Sequence, residues 1–450
     1  MSHMRVFTIL LALFAVGLFV HVDQPFGISL LRLGLSDALL PVLLGYAVII
    51  LRQPVRPLLL NGTWLLQGLP LWLGGLTLLL GAALLHGWIE LGYVSRWALL
   101  NKFCGWIILL AYLCLGAIVA RLPMHRPAAL PFKLVLAGFL VTGLPPLLTA
   151  VPGPEGAYMF GRFWEGGRLI GLLQNPNAYG LCAVVAIGIL IPYVKQARTG
   201  WKVAVVLTAF AACYAALFLT GSRSAILAGV LLLVLMPVPD GISVRRLGVT
   251  VAGVAVVFAA LWFTFPIAQR ATMFLALQGN EKPQATTHQQ ARLNFAYNTE
   301  QHRAFVFGSA LEQFRASPII GIGLGVYLER DRISYEARLA RTDGQQEFNP
   351  VGIHNTGLWL LTETGLIGFG AFAAFFMLVA WRLLGTARGQ GHAGTAQQML
   401  FVLAGCGVAS LGMDVLYLRP LWFLLGASLI LPAPELRDLT MVVNSGTDRV

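Results

Sequence analysis

The amino-acid sequence predicts an all-α polytopic membrane protein, and three observations predict it. Of 450 residues, 57% are apolar and 11% charged, against roughly 25% charged in soluble domains. The mean hydropathy is +0.76. The apolar residues fall in runs of about 20, the length that crosses a bilayer as a helix. A soluble fold has too little interior to hide that much apolar surface. A bilayer accepts it and forces backbone N–H and C=O groups to pair within helices.

Runs of spanning character lie near 5–20, 34–51, 64–85, 97–120, 132–150, 177–194, 201–219, 224–239, 245–265, 365–384, 396–413 and 418–432, which gives about 12 transmembrane helices. The chain divides into transmembrane helices 1–9 over 1–265, a long polar loop over 266–353, transmembrane helices 10–12 over 354–434, and a tail over 435–450. With a cytoplasmic N-terminus, Arg52, Arg56, Arg121, Arg126, Lys195, Arg198, Arg245, Arg246 and Arg388 fall on the inside, while the outside keeps few basic residues, among them Arg162, Arg168 and Arg223. The positive-inside rule then places both termini in the cytoplasm. The long loop falls outside, with its Asp and Glu nearly cancelling its basic residues. The net charge of +12 is on this reading a topology signal, with no nucleic-acid partner implied.

Within the loop, 288–317 places Leu293, Ala296, Ala304, Phe307, Leu311 and Phe314 at about helical spacing. This predicts an amphipathic helix over the outer membrane face. Pro318 ends it, and Gly321-Ile322-Gly323-Leu324-Gly325 reads as a flexible or closely packed turn. The five cysteines, Cys104, Cys114, Cys182, Cys213 and Cys406, sit in apolar stretches with no C-x-x-C pair, so they read as buried thiols.

Candidate chemistry gathers at the outer ends of the spans. Arg162 and Arg168 flank Glu165 ahead of Asn175-Pro176-Asn177, a helix-start signal in which Asn175 or Asn177 caps free N–H groups. Arg223 sits in a small-residue turn, Thr220-Gly221-Ser222-Arg223-Ser224, where an ionised group at the membrane edge needs a partner. Two readings stand side by side: snorkelling to lipid phosphate, or a guanidinium fork for a phosphate ligand. Arg303 reaches the same place from the loop helix or lies on its solvated face. His354, beside Asn355 where the loop meets the next span, is the one plausible base, because an unperturbed imidazole titrates near pH 6.5. Glu363 precedes Gly365 and is expected to satisfy backbone or Arg groups at a helix break. Asp414, between Met413 and Val415, is a buried acid in need of a cation, supplied by Arg419 or another external Arg. No metal site is expected: Glu329-Arg330-Asp331 is the nearest approach to one, without a His/Cys cluster of ligand spacing. Phosphate-loop, nucleophile-elbow and dinucleotide motifs are absent from the sequence. The ligand is therefore anionic and arrives from the membrane.

Taken in order, Asn175-Pro176-Asn177, Gly221-Ser222-Arg223-Ser224-Ala225, a long external loop with Arg303 and Gly321-Ile322-Gly323, then His354-Asn355 and Glu363-Thr364-Gly365 resemble the bacterial O-antigen ligase and polymerase superfamily. The resemblance covers nearly the whole chain. It implies a GT-C-type membrane fold and a metal-independent, inverting glycosyltransferase that uses no cofactor and faces the periplasm from the bacterial inner membrane. The implied donor is an O-antigen glycan on undecaprenyl diphosphate, and for a ligase the acceptor is the lipid A core of lipopolysaccharide. By position, Arg223 and Arg303 match arginines that hold the diphosphate, with Arg162 or Arg168 as the family's loop arginine. His354 matches the residue proposed to activate the acceptor hydroxyl. Asn175, Asn177, Asn355, Glu363 and Asp414 fall in supporting places. An O-antigen polymerase or a protein O-oligosaccharyltransferase would share the donor chemistry. A lipid or polysaccharide transporter would instead place charges at mid-bilayer or show repeated halves, and the sequence shows neither.

Overall fold

The computed structural model describes residues 3–23, 32–51, 69–122, 127–149, 163–165, 168–236, 306–330, 353–389 and 392–431. The α-helices of eleven residues or more among the described residues are α1 (His3–Gly17), α2 (Leu35–Gly45), α3 (Leu69–Leu91), α4 (Gly105–Val119), α5 (Leu130–Leu148), α6 (Pro176–Gln196), α7 (Gly200–Leu219), α8 (Arg223–Leu235), α9 (306–316), α10 (Thr356–Arg388), α11 (Ala393–Ala409) and α12 (Arg419–Leu429). Two π-helical stretches, Tyr46–Ile50 and Ala98–Cys104, extend α2 and lead into α4. Two short antiparallel ribbons, His21–Asp23 with Arg32–Gly34 and Trp164–Glu165 with Arg168–Leu169, are the strands among the described residues.

Among the described residues, six segments are long and apolar enough to cross a membrane: Leu69–Leu91, Ala98–Val119, Leu130–Leu148, Pro176–Gln196, Gly200–Leu219 and Thr356–Arg388. The chain is a multi-pass membrane protein. The runs expected at 5–20, 34–51, 224–239 and 396–413 appear as shorter apolar helices, and 418–432 contains α12 of 11 residues. The run at 245–265 lies outside the described residues.

The bundle is ordered around α6. In its most apolar window 78% of residues are buried, against 28% in α3 and 22% in α7, so α6 is the central helix and the other two turn most of their surface outward. That outward surface is apolar, as Leu71, Leu78 and Trp201 on α3 and α7 show, which is the surface acyl chains cover. Helix α6 packs against α7 and α11, α4 against α12, α1 against α5, and α3 against α10. Cys182, Cys213 and Cys406 are buried, as read from their apolar settings, whereas Cys104 and Cys114 are half-buried; all five are free thiols.

Helix α10 is broken. Gly365 stands at φ 67°, ψ −169°, a region open essentially to glycine. The groups freed by the break find partners in the segment after α9. Ile322 and Gly323 donate their N–H groups to the Thr362 and Glu363 carbonyls at 2.9 and 3.2 Å, while Leu366 and Ile367 donate to Pro318 and Ile319 at 2.8 and 3.2 Å. Leu324 N–H reaches Ala83 of α3 at 2.8 Å. The glycine-rich run is thus a closely packed turn wedged between α3 and α10, and it satisfies the backbone groups a membrane environment cannot hydrate. The buried face of α9 carries Val306 and Ala310, and Phe307, expected on that face, is exposed. Leu293, Ala296 and Ala304 lie outside the described residues.

Candidate active site

One end of the bundle holds most of the residues that the sequence singles out. Helix α6 starts there because Asn175 is its N-cap: the Oδ1 accepts from Asn177 and Ala178 N–H at 2.9 and 3.1 Å, with Pro176 in the first turn. Arg168, on the short ribbon before it, is half-buried. Its Nε donates to the Thr220 carbonyl at 2.7 Å and its Nη2 to Asn177 Oδ1 at 3.2 Å. The guanidinium therefore clamps the Asn-Pro-Asn start to the Thr220–Ser224 turn. Arg223 follows as the exposed first residue of α8.

The same turn touches the loop 410–418 that joins α11 to α12, through Ser222 Oγ at 3.5 Å from Met413 Sδ. That loop also holds the start of α10. Thr356 N–H donates to the Ser410 and Met413 carbonyls at 3.1 and 3.3 Å, Thr356 Oγ1 donates to Met413 at 3.0 Å, and Val415 N–H donates back to it at 2.9 Å. Asn355 caps Leu358 N–H at 2.9 Å and donates its Nδ2 to the Leu411 carbonyl at 2.8 Å. His354, immediately before the cap, is exposed. Arg168, Asn175, Asn177, Arg223, His354 and Asn355 thus stand on turns joined to one another through a single loop. Arg162, Arg303 and the side chain of Glu165 lie outside the described residues.

Asp414 is half-buried and not the buried acid expected, and the cation it has is not an arginine. Lys102 Nζ lies 2.6 Å from Asp414 Oδ2, whereas Arg419, the partner expected from its nearness in sequence, is committed to Asp37 by Nε–Oδ1 and Nη2–Oδ2 contacts of 2.7 and 2.6 Å. Tyr112 and the Gly34 N–H complete the Asp37 shell at 2.7 Å each. Glu363 accepts from the Trp359 indole at 2.8 Å and from the Gly325 backbone, so it does satisfy backbone beside the break; its other named partner is an indole, not an Arg. Tyr417, in the loop, is half-buried, and its desolvation, reinforced by negative Asp414 and Glu363, pushes its phenol well above the usual range. Among the described residues no group of three His, Cys, Asp or Glu side chains is placed to hold a metal ion.

A held arginine, Arg168, an exposed one, Arg223, an exposed imidazole and several helix starts at one end favour binding of an anion beside a group able to take a proton. Residues 204–373 match the O-antigen ligase family model. The matched stretch runs from α7 past the break in α10, and it takes in Arg223, Arg303, His354, Asn355 and Glu363. Arg162, Arg168, Asn175, Asn177 and Asp414 fall outside the O-antigen ligase match and are attached to it, where described, by the contacts above. No curated protein matches the chain.

Lys102 is the site-end residue that sequence reasoning missed. Its ammonium is buried beneath Trp359, Tyr417 and Trp97, at 3.9, 4.4 and 4.9 Å from their ring centroids. The signal was present as a lone cation at the head of an apolar span, which must find a partner; that partner is 312 residues away.

Proposed function

We propose that this chain is an O-antigen ligase, transferring a glycan from undecaprenyl diphosphate to the lipid A core with inversion and without a metal ion, at the periplasmic face of the bacterial inner membrane. The observation that carries the proposal is the O-antigen ligase match over 204–373, since it contains both the Arg223 turn and the His354 helix start. Their attachment to the one loop 410–415 supports a shared site.

In this reading the arginines hold the diphosphate. As the acceptor oxygen attacks the anomeric carbon, the bond to the phosphate oxygen breaks on the opposite face, and undecaprenyl diphosphate leaves with the growing negative charge. Guanidinium groups fixed beforehand stabilise that charge where water is scarce. His354 takes the hydroxyl proton, an assistance worth typically about 10²–10⁴-fold. The basic residues of the short loops support the orientation.

The deciding experiment gives the purified protein a lipid-linked glycan together with one acceptor at a time. Glycosylated lipid A core is the expected product. Lengthened lipid-linked glycan, a glycosylated Ser/Thr peptide, or movement of intact lipid-linked glycan across the bilayer would each replace the ligase reading with polymerase, protein transferase or transporter.

A further inference from the structure

Lys102 stands where three parts of the site end meet. It lies in the π-helical stretch Ala98–Cys104, a rare backbone geometry found frequently at functional sites. Its side chain is 6% exposed. Through Asp414 it holds the loop 410–418 at the residue between Met413 and Val415, the two whose backbone groups bind Thr356. Through Trp359, 3.9 Å away, it touches the first turn of α10 directly. Tyr417 closes the arrangement by donating its hydroxyl to the Lys102 carbonyl at 3.0 Å. The other oxygen of Asp414, Oδ1, is buried without a hydrogen-bond partner among the described residues, so the lysine is what offsets that carboxylate.

We propose that Lys102 is a positioning residue for the transfer reaction: by pinning Asp414 and Trp359 it sets the start of α10, and hence His354, against the Arg223 turn that the same loop contacts through Met413. The proposal rests on the reading that Arg223 serves the donor and His354 the acceptor. Ion pairs of this kind give little net stability, because the desolvation of both charges offsets their attraction. What they provide is a defined distance and direction. The pair reaches from the π-helical stretch before α4 to the 410–418 loop, so its loss loosens the relation between two halves of a site while leaving each half present.

The test uses the full chain in lipid nanodiscs, with three variants. Lys102→Met removes the cation and leaves Asp414 uncompensated; Lys102→Met combined with Asp414→Asn removes both charges and keeps the shapes, so it folds even where the single variant does not. Lys102→Arg restores a cation. In the double variant, thermal stability and binding of undecaprenyl diphosphate are expected at wild-type level. Hydrogen exchange is expected to rise over 353–358 and 410–416 but not over 176–196, and turnover to fall on the order of 10²-fold, the scale of a misplacement near 1 Å. Lys102→Arg recovers part of the turnover. Wild-type exchange and turnover in the double variant would overturn the proposal, leaving the pair as mutual charge balance. Loss of undecaprenyl diphosphate binding would also overturn it, by moving Lys102 to the donor side. Should the wild-type protein transfer to no acceptor, the functional reading fails, while the exchange comparison still decides whether Lys102 sets the α10 start.

Discussion

Replacing Gly321 by alanine should unseat the segment that seals the break in α10. Gly321 has φ +75°, where an L-residue costs roughly 1–2 kcal/mol. A Cβ there would also stand 2.5 Å from Glu363 C and Thr364 N, which are backbone atoms with no rotamer to yield. The segment must therefore lift off α10, and the four hydrogen bonds it shares with Thr362, Glu363, Leu366 and Ile367 go with it. At a net ~0.5–1.5 kcal/mol each, together with the backbone strain, the total is about 3–8 kcal/mol. The groups are set between α3 and α10, where water cannot readily replace the lost partners, so the upper half of that range is favoured. The expected outcome is a melting temperature in detergent lower by about 5 °C or more, with faster hydrogen exchange over 317–325 and 362–367. Gly308→Ala is the control, since its added Cβ meets nothing within 4 Å and alanine favours the helix by about 1 kcal/mol. A Gly321→Ala protein that melts and exchanges with the wild type refutes the idea that this backbone pairing secures α10.

Arg223→Ala should lose both undecaprenyl diphosphate binding and glycan transfer, with Lys restoring only part because it lacks the bidentate fork; wild-type binding by titration would remove Arg223 from the donor site. His354→Ala should keep donor binding and folding while transfer slows about 10²–10⁴-fold, on the order of 3–5 kcal/mol of barrier; collapse of binding would make His354 a phosphate ligand. Single cysteines at Gly156, Gln284 and Thr342 should react with an impermeant thiol reagent from the periplasm, and those at Gln53, Gln196 and Gln390 should not. The reverse labelling pattern would invert the chain.

How much of this was legible in the sequence depends on how far apart the interacting residues lie. Long apolar runs announce themselves, because a window of local sequence carries the whole signal: α4 to α7 stand where their runs stand, while α3 continues to Leu91, six residues past the end of its run. The apolar run that begins at 365 starts nine residues inside α10, since Thr362, Glu363 and Thr364 interrupt the apolar pattern and Gly365 reads as a boundary. In the structure it is a break within one helix starting at Thr356, held by a segment some forty residues earlier. The caps were legible because Asn175 and Asn355 act on N–H groups two or three residues away. Asp414 shows the limit. Its need for a cation followed from its apolar neighbours, yet the nearest arginine in sequence was already taken by Asp37, and the true partner comes from the π-helical stretch before α4. No local pattern encodes that choice; it is set by which helix ends the bundle brings together.

The helix starts at the site end differ in a way that bears on where a leaving phosphate would sit. Each carries the equivalent of about half a positive charge, felt within the first turn. At α6 and α10 part of that capacity is spent, since Asn175 and Asn355 already accept from the first N–H groups. At α8 Ser222 makes no capping hydrogen bond, although serine is among the preferred caps. Its hydroxyl faces Met413. The α8 start therefore keeps N–H groups uncapped by Ser222, beside Arg223 on the helix and near Arg168, which lies over Gly221 with Nε 3.5 Å from where a Cβ would be. Arg168 itself is oriented by the Thr220 carbonyl and the Asn177 amide oxygen. In the proposed reading a diphosphate would draw on the α8 start and Arg223, with the acceptor left to the His354 side, and the 410–415 loop between them is the part whose rigidity would fix the distance across which the glycan moves.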